Sequence, residues 1–478
     1  MTDQEPLARL EQVVNGLLHG LQMFALGLLA LVAAVMAAIA AVWLIRYGLA
    51  SKAVRRSMRQ ALRMRVGWPR LARMIGLAVV DPSPRLFVRL RTAQDAAGDN
   101  VTAKGRLVVP RLRLRADEFG VTVKVRTLPG IGRREWEDRV QELADAWGCA
   151  RVAVFQEGAG RLRIRAVHTD PLTVHTTWVP TCEEPDEKDW TEWRVGVDEW
   201  ATPAGIRLDS VPGMVISGLP GYGKTSLIGG QLLARYAPSR RVAFVIIDGK
   251  GGGDYAAWSK RAVAYVDDDL QQAHDVLERC VQLLRDRQHT IAKPVEEGGL
   301  GVRNFWAVGP TEQWPLVVVI IDEAQTFLRE RKGSKDEQAL IYAMVRYVED
   351  LVKKGRSVGI VVVLATQKAT SDAIPTSIRD VCPVLASFAQ KTAAAAVAAL
   401  GEDIREYPEA DPVALQDPMY KGVLVVAAQG RPGFMRIRTP YVSEEDQDRV
   451  AEATADIQVD PWKLIRGRHL SVVKSHTA

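Results

Sequence analysis

The stretch from Met214 to Leu227, MVISGLPGYGKTSL, sets a glycine-rich turn behind an apolar run and ends the turn in Lys-Thr. Gly218 to Thr225 fits G-x-x-x-x-G-K-[ST], and it stands where that pattern does chemistry, after a strand and before a helix. Gly218, Gly221 and Gly223 let backbone N–H groups close on phosphate oxygens, with Tyr222 between them and Ser226 just beyond. Lys224 would reach the β/γ oxygens of ATP, and the Thr225 hydroxyl would coordinate Mg²⁺. An ordinary strand–helix turn that happens to contain glycines is the alternative reading.

A second apolar run, PLVVVIIDEAQ, ends in adjacent acids. Asp322 would hold Mg²⁺, directly or through water. Glu323 would polarise the attacking water as general base. Two acids at a strand end can also be a solvated turn. About a hundred residues after a phosphate loop they favour hydrolysis over passive nucleotide holding. A third run, GIVVVLATQ, ends in Gln367, which either senses the γ-phosphate or is a simple strand-end amide.

From Val211 onward, strand–helix alternation must position these groups. Strands are expected at 213–218, 241–248, 262–266, 316–322 and 359–366, with helices at 224–236, 268–290 and 336–354. The fold class is therefore α/β, with a parallel sheet closed by a hairpin in GVLVVAAQGRPGFMRIRTPYV. Residues 107–167 read as a small α+β unit of order β-β-α-β-β, its helix marked by Trp136, Val140, Leu143 and Trp147. An acidic, Trp-rich stretch from Cys182 to Trp200 follows it.

Leu21 to Ile45 contains no charged residue. As a helix it would be about 37 Å long, against a hydrocarbon core of about 30 Å. The segment before it is mildly acidic. The segment after it carries Arg46, Lys52, Arg55, Arg56, Arg59, Arg63, Arg65, Arg70 and Arg73 without an acid. The positive-inside rule then places the N-terminus outside and the bulk of the chain in the cytoplasm, a single-pass cell-membrane protein. A signal peptide and a buried core helix are the rival readings; a signal peptide's apolar core is usually shorter, about 7–15 residues.

The 478 residues are 47% hydrophobic and carry a net charge of +6. That charge is uneven: Arg46 to Arg134 holds about 21 basic against about 5 acidic residues. Such a block beside an apolar span suits anionic lipid, nucleic acid or topology control. Cys149, Cys182, Cys280 and Cys382 form no CxxC pair, which fits a reducing cytoplasm better than a disulfide or zinc scaffold. The expected divisions are an extracytoplasmic N-terminus (1–20), a transmembrane helix (21–45), a basic juxtamembrane region (46–106), the α+β domain (107–180), an acidic linker with a lead-in strand (181–210), the ATPase domain (211–445) and a tail (446–478).

From about Trp193 to Glu445 the chain resembles the FtsK/SpoIIIE motor domain. IIDGKGGGDY is similar to that family's Asp-Pro-Lys-Gly-Gly stretch, and LERCVQLLRDRQHTI followed by GVRNFW to its Arg-repeating helix and later Arg-Asn. VVVIIDEAQTFL matches its second nucleotide motif, and KKGRSVGIVVVLATQKATSDAIPTSIRDVCP its long signature. The resemblance implies a RecA-like P-loop ATPase that moves double-stranded DNA, largely without regard to sequence, as a homo-hexameric ring. It maps the arginine that completes a neighbour's site onto Arg356; a basic residue at a helix end is the other reading. Single-span members with a β-β-α-β-β unit resemble DNA-transfer proteins of actinobacterial conjugative or integrative elements.

There are departures from the family's pattern. The family's Pro is Gly249 here, and its common Arg after the Ile-Pro segment is missing from CPVLASFA. The 33 residues after Glu445 are also too few for the winged-helix unit that some members append. A membrane-anchored DNA translocase is the leading reading. An ATPase of type VII protein secretion, or a nucleotide-gated envelope scaffold, are the alternatives.

Overall fold

The computed structural model describes residues 5–81, 106–251, 253–330, 333–367, 370, 373–428 and 433–462, divided into two units at Asp170/Pro171. The N-terminal unit opens with one continuous helix, Glu5–Leu49. Its Leu26–Leu49 portion is 24 residues long, has a mean hydropathy of 2.8, and has no buried side chain among the described residues. Phe24 is 72% and Leu29 70% exposed. A core helix would bury such side chains, so the apolar surface of this one has no partner among the described residues of its unit.

Ser51 interrupts the chain and caps the next helix, Lys52–Met74, its hydroxyl accepting from the Val54 N–H at 3.3 Å. None of this helix's basic residues is buried. Met64, Trp68 and Ala72 form an apolar stripe that is buried against Val121, Val123, Trp136, Leu143 and Trp147. Trp68 stacks on Trp136 at 5.4 Å, and its indole N–H donates to the Pro110 carbonyl at 2.7 Å. Burial of a side chain the size of Met64 contributes about 1.5–3 kcal/mol.

A short pair, β1 (Val79–Asp81) and β2 (Arg106–Val108), runs antiparallel. Then β3 (Leu112–Ala116), β4 (Gly120–Arg126), β5 (Arg151–Gly158) and β6 (Arg161–Val167) form an antiparallel sheet of order β3-β4-β6-β5. The helix Val140–Trp147 lies between the two hairpins in sequence and buries Leu143, Ala144 and Trp147. The expected order β-β-α-β-β is what forms, with the basic helix as an added layer.

The C-terminal unit is built on ten strands: β7 (Glu192–Asp198), β8 (Pro203–Arg207), β9 (Gly213–Ser217), β10 (Val242–Asp248), β11 (Ala264–Asp267), β12 (Leu316–Asp322), β13 (Ile360–Thr366), β14 (Val384–Ser387), β15 (Val423–Ala428) and β16 (Met435–Arg438). Their order is β11-β10-β12-β13-β9-β14-β15-β16-β7-β8. The six strands from β11 to β14 run parallel. Every residue of β9, β10, β12 and β13 is buried, which is why they read as continuous apolar runs.

The sheet is mixed rather than parallel throughout. The expected hairpin, β15 with β16, pairs antiparallel to β14, and β7 and β8 continue that wing. Helices Leu270–Thr290 and Lys335–Lys354 form where periodicity places them. Helix Glu444–Ala453 buries Gln447, Val450 and Ala451 in this unit.

Candidate functional site

Parallel strands carry their C-terminal ends to one edge, the edge at which open α/β sheets bind ligands. β9 leads into the phosphate loop. β13, ending at Thr366 and followed by Gln367, lies beside β9, with Thr366 opposite Ser217. β12, ending at Asp322, is next, and Asp322 stands opposite Asp248 of β10. Two strand spacings, about 10 Å, therefore separate the phosphate loop from the acids.

The loop is pinned from below. The Gly218 N–H donates to the Thr366 carbonyl at 3.3 Å and the Leu219 N–H to that of Ala389 at 3.0 Å. Gly218, Gly221 and Gly223 have φ of 148°, 76° and 120°. A Cβ on Gly218 would sit 2.6 Å from Phe388 Cβ, so the sharp turn tolerates no side chain there. Lys224 folds over the loop, its Nζ donating to the Gly218 carbonyl at 2.6 Å and to that of Leu219 at 3.2 Å. Burial lowers its pKa, and Glu323 and Asp322 oppose that shift. Tyr222 donates its hydroxyl to the Gln416 carbonyl at 2.7 Å, tying the loop to the β14–β15 connection. The Ser226 hydroxyl is taken up by Val442, accepting from its N–H at 3.1 Å. Thr225 is half-buried at the helix entrance.

The helix after the loop departs from expectation. Ser226–Leu233 is wound as a π-helix before a short α-helical end, Ala234–Tyr236. Gly229 and Gly230 allow this register to pack tightly. A Cβ on Gly229 would lie 2.3 Å from Gln447 Oε1, and one on Gly230 2.5 Å from Val442 Cβ. Wide turns of this kind are frequent at functional sites.

Asp322 is 5% and Glu323 6% exposed. Burial, with smaller contributions from Glu323 and Asp248, raises the Asp322 pKa to about 6; the Glu323 N–H, donating to its Oδ1 at 2.9 Å, opposes this. Glu323 has a φ of 45°, a left-handed conformation that costs a non-glycine residue about 1–2 kcal/mol. That turn aims its carboxylate between β12 and β13. The Gln367 N–H donates to Glu323 Oε2 at 3.3 Å, so these two sequence-predicted residues meet through the backbone of one and the side chain of the other.

Two residues of this edge stand inside the quoted motifs, which gave them no role. Gln325 donates its amide to Glu323 Oε2 at 2.5 Å and accepts the Thr366 hydroxyl at 2.6 Å. Asp248 is fully buried; its Oδ1 accepts from the Lys250 N–H at 3.0 Å, while its Oδ2 has no hydrogen-bond partner among the described residues. Gly249 explains the missing proline. Its N–H donates to the Asp322 carbonyl at 3.1 Å, a bond proline cannot make, and it packs against Phe327 and Thr326.

Arg356 is not in this cluster. It is exposed in the turn Gly355–Val358, which enters β13 at its N-terminal end. The seven residues of β13 put it about 20 Å or more from the edge where Gln367 lies. The turn is held by buried Arg287, whose guanidinium donates to the Val358 carbonyl at 2.8 Å and the Pro315 carbonyl at 2.8 Å and lies over Trp314. Burial lowers the Arg287 pKa to about 9.

The residues fit a magnesium nucleotide. The loop offers left-handed glycines and one ammonium, and Thr225 and Asp322 offer a hydroxyl and a carboxylate. Among the described residues no group of three or more His, Cys, Asp or Glu could hold a metal. A Mg²⁺ ion here would take its other ligands from phosphate and water, as that ion commonly does.

No protein-family model matches the chain. It is 24% identical over 282 residues to DNA translocase FtsK of Leptospira interrogans (serogroup Icterohaemorrhagiae serovar copenhageni), a match covering 54% of this chain and 26% of the relative. It is 25% identical over 218 residues to DNA translocase FtsK 1 of Neisseria meningitidis serogroup B, covering 41% of this chain and 26% of that one. The matched region thus spans about a quarter of these relatives' length. Among solved structures, the pCW3 conjugation coupling protein TcpA, in monomer form with ATPgS, aligns with a TM-score of 0.47 at 16% identity over 76% of this chain and 98% of that one. The cytoplasmic domain of the type VII secretion ATPase EccC of Thermomonospora curvata aligns with a TM-score of 0.42 at 18% identity over 62% of this chain and 35% of that one. The resemblance to FtsK/SpoIIIE-type translocases read from the motifs is thus matched by sequence similarity to FtsK DNA translocases.

Proposed function

We propose that the chain is a membrane-anchored, ATP-driven translocase of double-stranded DNA, serving conjugative transfer or the segregation of chromosomes or plasmids. The observation that carries this reading is the convergence of Lys224, Thr225, Asp322, Glu323 and Gln367 on one sheet edge, in a chain similar in sequence to FtsK DNA translocases. The loop's N–H groups and Lys224 would bind the phosphates of ATP. Thr225 and Asp322 would hold Mg²⁺, which supplies charge neutralisation on the phosphoryl oxygens. Glu323, oriented by Gln325 and the Gln367 N–H, would accept the proton of the attacking water. Gln367 would report the γ-phosphate to β13.

Arg356 lies too far along β13 to serve the site of its own subunit, so it would act on a neighbour's in a homo-hexameric ring. The exposed apolar helix would span the cell membrane once, with the N-terminus outside and the motor in the cytoplasm.

The test is ATP hydrolysis by the full chain in neutral detergent, with and without linear duplexes of unrelated sequence. Several-fold stimulation by every duplex, fading at high salt as counterion release weakens binding, is the expected result. Indifference to duplex together with stimulation by a secreted protein's tail would favour protein export. No hydrolysis under any condition would favour a scaffold.

A further inference from the structure

Two adjoining recesses flank the Lys52–Met74 helix of the N-terminal unit. One, of about 360 Å³, is lined by Arg56, Arg59, Gln60, Arg63, Trp147 and His168. The other, of about 420 Å³, shares Gln60, Arg63 and Trp147 and adds Arg70 and Asp145. Arg56, Arg59, Arg63 and Arg70 are three, four and seven residues apart, the spacing of one helix face. Like charges so placed repel, and the Lys52–Met74 helix contains no acid to relieve them.

The surroundings do not supply the missing charge. Asp145 is the one carboxylate lining either recess. Asp117, an acid that acts on His168, is committed to Arg165 in a bidentate pair at 2.6 and 2.8 Å. Both nitrogens of His168 are engaged, by Ser57 at 2.6 Å and Thr169 at 2.9 Å. The carbonyl end of helix Val140–Trp147 faces this region with a partial negative charge, but Gln60 already donates to the Trp147 carbonyl at 2.7 Å. Four guanidinium groups therefore line a concave surface with about one carboxylate between them.

Position identifies the anion. Arg59 donates to the Tyr47 hydroxyl at 2.6 Å, and Arg55 donates to the carbonyls of Tyr47 and Gly48 at 2.9 and 2.7 Å. Tyr47 stacks on Trp43 at 5.1 Å. A Trp–Tyr pair at the end of an apolar helix is what marks the headgroup level of a membrane. Arg59 thus joins the recess to that level, and the recess is small and concave where the backbone of a duplex is convex.

We propose that this face is a binding site for the phosphate of an anionic lipid headgroup, a site that rests on the apolar helix being a membrane span. Arg56 and Arg63 supply the charge, and Gln60 and Trp147 form the wall. The site would fix how the N-terminal unit stands on the membrane surface.

The full chain, purified in neutral detergent, is offered phosphatidylglycerol or phosphatidylcholine, and retained lipids per chain are counted by native mass spectrometry. The wild type should retain phosphatidylglycerol in preference. Arg56→Gln with Arg63→Gln should lose it about tenfold or more. Lys52→Gln with Arg65→Gln removes the same charge from the same stretch of helix without touching either recess, and should retain lipid within about twofold of wild type. Equal loss in both pairs means a diffuse basic surface and overturns the site, as does no loss in either. Displacement of the lipid by inorganic phosphate or by a short duplex overturns the lipid source. Alkaline carbonate extraction of membranes tests the span separately. A chain that stays in the membrane but retains lipid no better than the Arg56/Arg63 variant overturns the site alone. A chain that is extracted overturns the span and the headgroup source with it.

Discussion

The Gln325 side chain donates to the Glu323 carboxylate at 2.5 Å while accepting from the Thr366 hydroxyl, so a single amide ties the candidate base to the strand that carries Gln367. A residue so placed orients the base without touching the reacting atoms. Gln325→Ala should therefore bind ATP normally and lower kcat about tenfold, with KM little changed. Glu323→Gln, which removes the base itself, should bind equally well and lose about 10²–10⁴-fold in kcat. Single-turnover hydrolysis and nucleotide binding on the same samples separate the two. Wild-type kcat in Gln325→Ala would mean that the amide only fills space.

Asp322 should cost stability at neutral pH. Its folded pKa, about 6, lies above its ordinary value of 3.8, chiefly through burial. Between those two values the folded state binds more protons than the unfolded one, so stability falls as pH rises and levels off above about 6. Asp322→Asn keeps an acceptor for the Glu323 N–H and carries no charge. It should be more stable than wild type by up to about 3 kcal/mol at pH 7.5, with the gap closing as pH falls from 6 towards 4. Melting curves at the two ends of that range check this. A gap of equal size at pH 4 and 7.5 would trace the difference to packing instead of ionisation. The same variant should lose Mg²⁺-dependent hydrolysis, separating the acid's cost to the fold from its use in chemistry.

The parts of this site legible in sequence are those that a strand delivers by itself. β9, β12 and β13 are buried on both faces, so each reads as an apolar run with its polar terminus in plain view: the phosphate loop, Asp322–Glu323 and Gln367. Asp248 and Gln325 stand in the quoted motifs, but their places in the site went unread because they depend on other strands. Asp248 matters through its register with Asp322, and Gln325 through a bridge to Thr366. β14 has only four residues, too few to show a period. β7 and β8 alternate inside a stretch dense in acid and Trp, and only pairing with β16 reveals them as part of the large sheet. The π-helical register after Thr225 left one usable trace, the Gly229–Gly230 pair, whose close approach to Val442 and Gln447 no periodicity could show.

The charge asymmetry around the apolar helix makes its orientation testable. A reporter active only outside the membrane, fused after Ala478, should be silent, while the same reporter before Met1 should be active. Strong activity from the C-terminal fusion would reverse the assignment and place the arginines of the Lys52–Met74 helix on the outer surface.

Arg356 and Lys224 belong to opposite ends of the parallel strands of one sheet, and this separation makes the neighbour hypothesis sharp. Arg356→Ala should keep the whole phosphate edge and bind ATP, yet turn over slowly. Lys224→Ala should fail differently, having lost its grip on the phosphates while keeping an intact Arg356. In a mixed ring, the site of an Arg356→Ala subunit can face the arginine of a Lys224→Ala neighbour. Mixing two inactive proteins should then restore some hydrolysis. An arginine supplied in trans is worth about 10³-fold or more in related phosphoryl-transfer sites, so even a minority of repaired interfaces would be visible. Arg287 offers an internal control. Its guanidinium holds the Val358 carbonyl of the turn that presents Arg356, so Arg287→Met should weaken hydrolysis in the manner of Arg356→Ala and be rescued by the same partner. Rescue requires that subunits exchange, which negative-stain images of mixed rings would establish. If mixed rings form and Arg356→Ala alone hydrolyses ATP at the wild-type rate, Arg356 is only a charge at the end of helix Lys335–Lys354, and the site is complete within one subunit.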